Sequence, residues 1–453
     1  MNIVRLIRMS LRVAVVLAGS VLCFSCVEKD GNLGIDGKDE GVDYSYPGNR
    51  IGHIESRRVL LFYECGFNSL YGYLSDNMDR DLEKGYLPGH GRNEDVVLVF
   101  SKIARNANYK DVPSYLRRIY KDSEGNMVSD TLKTFPTSTV ASSGETMREV
   151  LRLVRMMFPA KGYGMVFSSH GSGWLPAGYY NNPSDFERSH RTALGGAKYS
   201  RSLPRLEVPE GSIDTDDPFA GMVRSLGQDK MASGDVEMNV SEFASGIPFH
   251  LDYLLFDMCF GAGMEVVYAL RDKADYIGVS PAEVLADGMY DYTKLLSFLL
   301  NGSSPDLTGL FRDSFDKYDK QSGQYRSATV TLVRSEGLER LASVCRSLVE
   351  KYSNSIAHAP VGEIQGYFRL NRHYFYDLED TFAKCGATAD DMAVLKDAID
   401  GSIAYKNATP SFLGAFDIRT YSGFSIYLPC AGTSLLDSYF KDEEWNKAVG
   451  LVN

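Results

Sequence analysis

Two short stretches of this chain each set a reactive side chain at the end of an apolar run. Leu254-Leu255-Phe256-Asp257-Met258-Cys259 delivers a thiol, and Gly261-Ala262-Gly263 behind it lets a helix begin close by. Tyr163-Gly164-Met165-Val166-Phe167-Ser168-Ser169 ends in the same way and delivers His170-Gly171-Ser172-Gly173-Trp174. A thiol attacks carbonyl carbon, and an imidazole hands protons to and from the groups that leave and arrive. Taken singly, Cys259 has the ordinary reading of a buried thiol and His170 that of a loop histidine. Their shared position, each at a strand end, is what makes the pair chemically interesting.

Such runs read as buried strands of a parallel sheet, whose carboxyl edge is where reacting groups gather. Val59-Leu60-Leu61-Phe62-Tyr63 and Val96-Val97-Leu98-Val99-Phe100 predict two earlier strands, with Leu70, Leu74, Met78 and Leu82 on a helix between them. Tyr115 to Thr134 alternates and turns at Ser123-Glu124-Gly125-Asn126, as a surface hairpin would. Ser142 and Glu145 have the spacing of a capping box for the next helix. Beyond Cys259 the pattern predicts strands at Tyr276–Ser280, Ala328–Val333 and Gly423–Pro429, and a helix over Gly337–Tyr352 that buries Cys345. Between Gly171 and Leu251 periodicity is lost, which predicts a long excursion over the active edge.

At 453 residues, 44% apolar, the chain has ample material for a large core. Its net charge of −11, without a long Lys/Arg run, argues against nucleic acid as partner. Arg5, Arg8 and Arg12 precede the apolar stretch Val13 to Phe24, the layout of a secretory signal. Ser25-Cys26 resembles a bacterial lipoprotein cleavage site, although Cys23 stands where an aliphatic residue is usual. Acylated Cys26 would then anchor the chain to a membrane through its N-terminal lipid. Glu28-Lys29-Asp30 looks like the surface-export signal of some Gram-negative lipoproteins. The expected location is that of an exported lipoprotein, at the outer membrane or cell surface or facing the periplasm. Cys65, Cys259, Cys345, Cys385 and Cys430 remain, an odd number without disulfide-framework spacing.

His170-Gly171-Ser172-Gly173-Trp174, Asp257-Met258-Cys259 with Met264-Glu265-Val266 behind it, and Gly423-Phe424-Ser425-Ile426-Tyr427-Leu428-Pro429 together resemble the clostripain family of cysteine peptidases, relatives of caspases, gingipains and legumains. The resemblance covers Val59 onward. It implies a caspase-like three-layer α/β/α sandwich with a mostly parallel central sheet and a C-terminal α+β extension. The expected organisation is a signal peptide over 1–25, a tether over 26–55, a catalytic core over 56–305 with an insertion at about 175–240, and a C-terminal subdomain over 306–453 that completes the fold.

The same resemblance implies a Cys-His dyad that forms a thioester, with Cys259 as nucleophile, His170 as general acid and then base, and the backbone N–H groups of Gly171 and Cys259 holding the oxyanion. Asp257 lies two residues before Cys259, so on a strand both side chains share a face. The matching family position lines the pocket for the residue preceding the cut, where a carboxylate would bind Arg or Lys. Asp287 resembles a second acid of that pocket, with Glu283 as its rival. Family members are commonly cut between His and Cys, and Lys198, Arg201 and Arg205 would suit the enzyme's own preference. No cofactor is required by this chemistry. Calcium is associated with clostripain itself, and Asp214, Asp216 and Asp217 could supply oxygen ligands, but Phe219 stands where an EF-hand loop would need Gly. Expected partners are protein or peptide substrates with Arg or Lys at the cleavage site. The competing expectation is a catalytically inactive surface lipoprotein that binds basic peptides.

Overall fold

The computed structural model describes residues 57–179, 183–190, 226–232, 234–368 and 374–453. All of them lie in one compact unit, Arg50–Asn453. The signal segment, Cys26 and the tether fall outside the described residues, as do Lys198, Arg201, Arg205 and the Asp214-Asp216-Asp217 group.

A nine-stranded sheet organises the chain. In chain order its first strands are β1 (Arg58–Gly66), β2 (Val96–Ile103), β3 (Ser114–Lys121), β4 (Met127–Phe135) and β5 (Gly162–Ser168). A separate hairpin, β6 (Leu226–Met231) and β7 (Gly234–Met238), precedes β8 (Leu251–Asp257), β9 (Ala274–Val279) and β10 (Thr329–Arg334). The short β11 (Tyr376–Asp377) lies off the sheet, and β12 (Ile403–Ala408) completes it. Across the sheet the order is β12-β10-β9-β8-β5-β1-β2-β3-β4.

The central strands β2, β1, β5, β8 and β9 run parallel, and antiparallel pairs flank them on both sides. Parallel strands covered by helices on both faces need apolar side chains on both, which is why β1, β2, β5 and β8 read as near-continuous apolar runs. Alternate residues divide between two cores: Val59, Leu61 and Tyr63 face one, Leu60 and Phe62 the other.

Several expectations are corrected by packing. The Tyr115–Thr134 hairpin is no separate surface feature, because β3 pairs with β2 and extends the sheet. The capping box does not form: Ser143 is the N-cap of helix Gly144–Met157, and the Gly144 N–H donates instead to Glu242 Oε1 at 3.1 Å. The strand expected at Gly423–Pro429 shrinks to Ser425–Ile426, which pairs with β11 and not with the large sheet. The excursion after Gly171 is not structureless throughout, since β6 and β7 pair and bury Leu226 and Met238.

Candidate active site

Along the sheet β1 is followed by β2 on one side while β5 returns on the other, so the topological switch falls between β1 and β5. In open α/β sheets the crevice beyond the carboxyl ends at such a switch is where ligands bind. Ser69 follows β1, His170 follows β5 and Cys259 follows β8, and all three line one cleft together with Asp257, Ala286 and Gly288. A larger hollow of about 630 Å³ lies between helix Tyr71–Asp76 and the β2–β4 edge, and its walls contain none of the candidate residues.

The two loops bearing His170 and Cys259 abut. A Cβ built on Gly171 would stand 2.6 Å from the Cys259 carbonyl oxygen and 2.9 Å from Met258 Sδ. One on Gly173, whose φ is +64°, would stand 2.9 Å from the Phe260 carbonyl oxygen. Glycine is therefore required at 171 by the neighbouring backbone of the protein itself. Phe260 adopts a φ of +57°, an unusual value for a bulky side chain. It is held there by its N–H on the Ala282 carbonyl at 2.9 Å and by its ring stacked 4.3 Å from Phe375. Strain of this kind persists only where surrounding structure enforces it, and here it turns the chain sharply after Cys259.

The thiol is nearly covered, with 7% of Cys259 exposed, against 6% for His170 and 7% for Asp257. The Val284 N–H lies 3.2 Å from Cys259 Sγ and fixes its direction. Ser69 Oγ lies 2.9 Å from His170 Nε2. Sequence reasoning missed Ser69, because a lone serine past a strand carries no periodic signal.

Asp257 is gripped from within. Its Oδ1 accepts the Met289 N–H at 2.7 Å and its Oδ2 the Tyr292 hydroxyl at 2.8 Å. Burial raises its pKa, and these two hydrogen bonds with the nearby Lys317 ammonium oppose the rise. A carboxylate accepts about four hydrogen bonds, so lone pairs remain for a ligand in the cleft. Asp287 is exposed and its side chain is absent from the cleft wall, whereas its neighbours Ala286 and Gly288 are part of it. Glu283, the rival, is buried at 4% exposure and likewise outside that wall.

Behind the site, helix Met264–Ala269 carries Glu265, fully buried, whose Oε1 accepts the Tyr427 N–H at 2.9 Å. Together with the Ser425 N–H on the Ala262 carbonyl at 3.0 Å, this docks the distal Ser425–Tyr427 segment onto the turn after Cys259. The hairpin strand β6 is fastened beneath the histidine loop: Gly227 N–H donates to the His170 carbonyl at 3.1 Å, and Gln228 N–H to Ser169 Oγ at 3.2 Å. None of the five described cysteines forms a disulfide, and no group of three or more His, Cys, Asp or Glu among the described residues could hold a metal ion.

A thiol and an imidazole brought from separate strand ends share one covered cleft of an α/β sheet, the arrangement that a cysteine hydrolase requires. The model of the Clostripain family matches residues 211–429, a span that contains Cys259 and the Gly423–Pro429 motif. An inactive zymogen of a C11 protease from Parabacteroides distasonis has the same fold, with a TM-score of 0.66 and 25% identity over 88% of this chain and 99% of that one. A secreted C11 cysteine protease from Bacteroides thetaiotaomicron, solved with an irreversible peptide inhibitor, shares the fold at a TM-score of 0.65 and 22% identity, over 87% of this chain and 99% of that one. No curated protein matches the chain. The family match over residues 211–429 and the shared fold make this chain similar to the clostripain-family cysteine proteases, with their caspase-like sheet.

Proposed function

We propose that this protease cuts on the carboxyl side of Arg or Lys, with Cys259 and His170 as its catalytic dyad. The observation that carries the reading is the single cleft shared by Cys259, His170 and the inward-held carboxylate of Asp257. Cys259 Sγ attacks the scissile carbonyl carbon, and the backbone N–H groups of Gly171 and Cys259 are assigned to the developing oxyanion. Donors of that kind are worth about 2.7–4 kcal/mol each in the transition state. His170 protonates the departing amine, then takes a proton from the water that breaks the thioester. Asp257 receives the guanidinium or ammonium of the residue before the cut; Asp287, exposed and outside the cleft wall, can add only a screened long-range contribution. These steps use only protein side chains, backbone and water.

The chain is further proposed to cut itself between His170 and Cys259, at Lys198, Arg201 or Arg205. It is also proposed to be exported and anchored through acylated Cys26. That one of the similar structures is of a secreted protease is consistent with export. No helix among the described residues is long and apolar enough to cross a membrane.

The test is hydrolysis of fluorogenic peptides ending in Arg, Lys or a neutral residue, with and without Ca²⁺, by the wild type and Cys259→Ala. The expected result is turnover of Arg and Lys peptides alone, two associated fragments of the wild-type chain, and an inert, unsplit Cys259→Ala. Equal turnover of neutral peptides would refute the specificity, and a Cys259→Ala chain that still splits would refute self-processing.

A further inference from the structure

The pocket carboxylate does not hold itself in place, and the group that sets it comes from the far side of the chain. Helix Leu307–Asp319 belongs to the C-terminal part and packs its Leu310, Phe311 and Phe315 into the second core. Its Lys317 ends at the loop beneath the cleft, where the ammonium donates to the carbonyls of Asp287, Gly288 and Tyr290, each at 3.0 Å. An ammonium has three donors, and three carbonyls use all of them. The adjacent Tyr318 hydroxyl adds a bond to the Gly288 carbonyl at 2.5 Å.

That loop is the part of the protein that grips Asp257. The Met289 N–H on Oδ1 lies between the clamped carbonyls, and Gly288 packs so closely that a Cβ on it would stand 2.6 Å from Asp257 Oδ2. With its donors spent on carbonyls, the ammonium makes no direct hydrogen bond to Asp257, yet its charge favours the ionised carboxylate. The lone pairs of Asp257 are therefore left to a ligand, and the carboxylate is supported from behind by a cation that does not compete for them.

We propose that Lys317 is a positioning residue for the Arg/Lys pocket, clamping loop 287–290 so that the Asp257 carboxylate meets the substrate's cationic side chain. The inference rests on the assignment of Asp257 as the acceptor of that side chain. Because Lys317 touches neither the thiol nor the imidazole loop, its loss acts on binding and leaves the chemical step alone.

The experiment measures KM and kcat separately for Arg, Lys and Leu peptides, normalised by titration of the reactive thiol, in full-length wild type, Lys317→Met, Lys317→Arg, Tyr318→Phe and Asp257→Asn. Lys317→Met is expected to raise KM for Arg and Lys peptides about tenfold, equivalent to ~1.4 kcal/mol, with kcat within about threefold. Lys317→Arg, which keeps the charge but cannot cap three converging carbonyls with a planar fork, is expected to fall between the two. Tyr318→Phe gives a smaller rise of the same kind, and decides the matter if Lys317→Met fails to fold. Unchanged KM in both Lys317→Met and Tyr318→Phe, or a loss confined to kcat, overturns the proposal. Failure of the underlying assignment looks different: a wild type indifferent to basic residues, with Asp257→Asn indistinguishable from it.

Discussion

Replacing Gly171 by alanine tests the abutment of the loops that carry the proposed dyad, His170 and Cys259, directly. The added Cβ would lie 2.6 Å from the Cys259 carbonyl oxygen, where ordinary contact begins at 3.4 Å. The loops must therefore separate by about 0.8 Å, for which overpacking typically costs about 1–3 kcal/mol. Misplacement of reacting groups by ~1 Å lowers rates by about 10²-fold, so kcat on an Arg peptide should fall between about ten- and a hundredfold. The thiol itself survives the change, and alkylation of Cys259 by a small neutral reagent should still go to completion. The second close atom, Met258 Sδ at 2.9 Å, belongs to a flexible side chain, whereas the carbonyl does not. Adding Met258→Ala should thus fail to restore the rate. A Gly171→Ala enzyme with kcat within about threefold of wild type, or a full rescue by Met258→Ala, would show that backbone proximity does not set the geometry.

Two further outcomes follow from buried carboxylates. Burial raises the Glu265 carboxyl to about 8, far above its ordinary range, so the folded chain keeps a proton there that the unfolded chain releases. Stability from this group is full in acid and declines as pH rises to about 8, and Glu265→Gln should flatten the Tm–pH profile between about pH 5 and 8; a slope unchanged by the substitution would refute it. Tyr292→Phe removes one of the two hydrogen bonds that oppose the raised pKa of Asp257. The acid limb of kcat/KM for Arg peptides should then move to higher pH, with a loss near neutrality of about 1.5–3 kcal/mol, measured from initial rates across pH; an unmoved limb would dissociate Asp257 from substrate binding.

How far the sequence shows this arrangement depends on whether a feature is local. The strands behind Cys259 and His170 are legible because β5 and β8 are buried on both faces and must be apolar throughout. Asp257 and Cys259 do share the cleft that strand parity predicts, but β8 ends at Asp257 and the turn beyond it, not parity, places the thiol. Burial along β3 alternates, a pattern equally suited to a free hairpin, and only its register with β2 decides. Ser142 and Glu145 have cap spacing, but the helix begins behind Ser143, and the Ser142 N–H that Glu145 would have served turns to Asp229, 87 positions away in the chain. Lys317 reads as a surface lysine of an amphipathic helix, and its role appears only once loop 287–290 is folded against it.

The docking of Ser425 and Tyr427 on the turn behind the thiol has a bearing on biosynthesis. A ribosome releases Cys259 long before it adds the segment that braces this turn, and Lys317 also arrives after the loop it clamps. A growing chain thus carries the proposed nucleophile, Cys259, before the segment that braces the turn behind it. The brace at Ser425–Tyr427 therefore joins the turn behind Cys259 only after every strand of the large sheet has been translated.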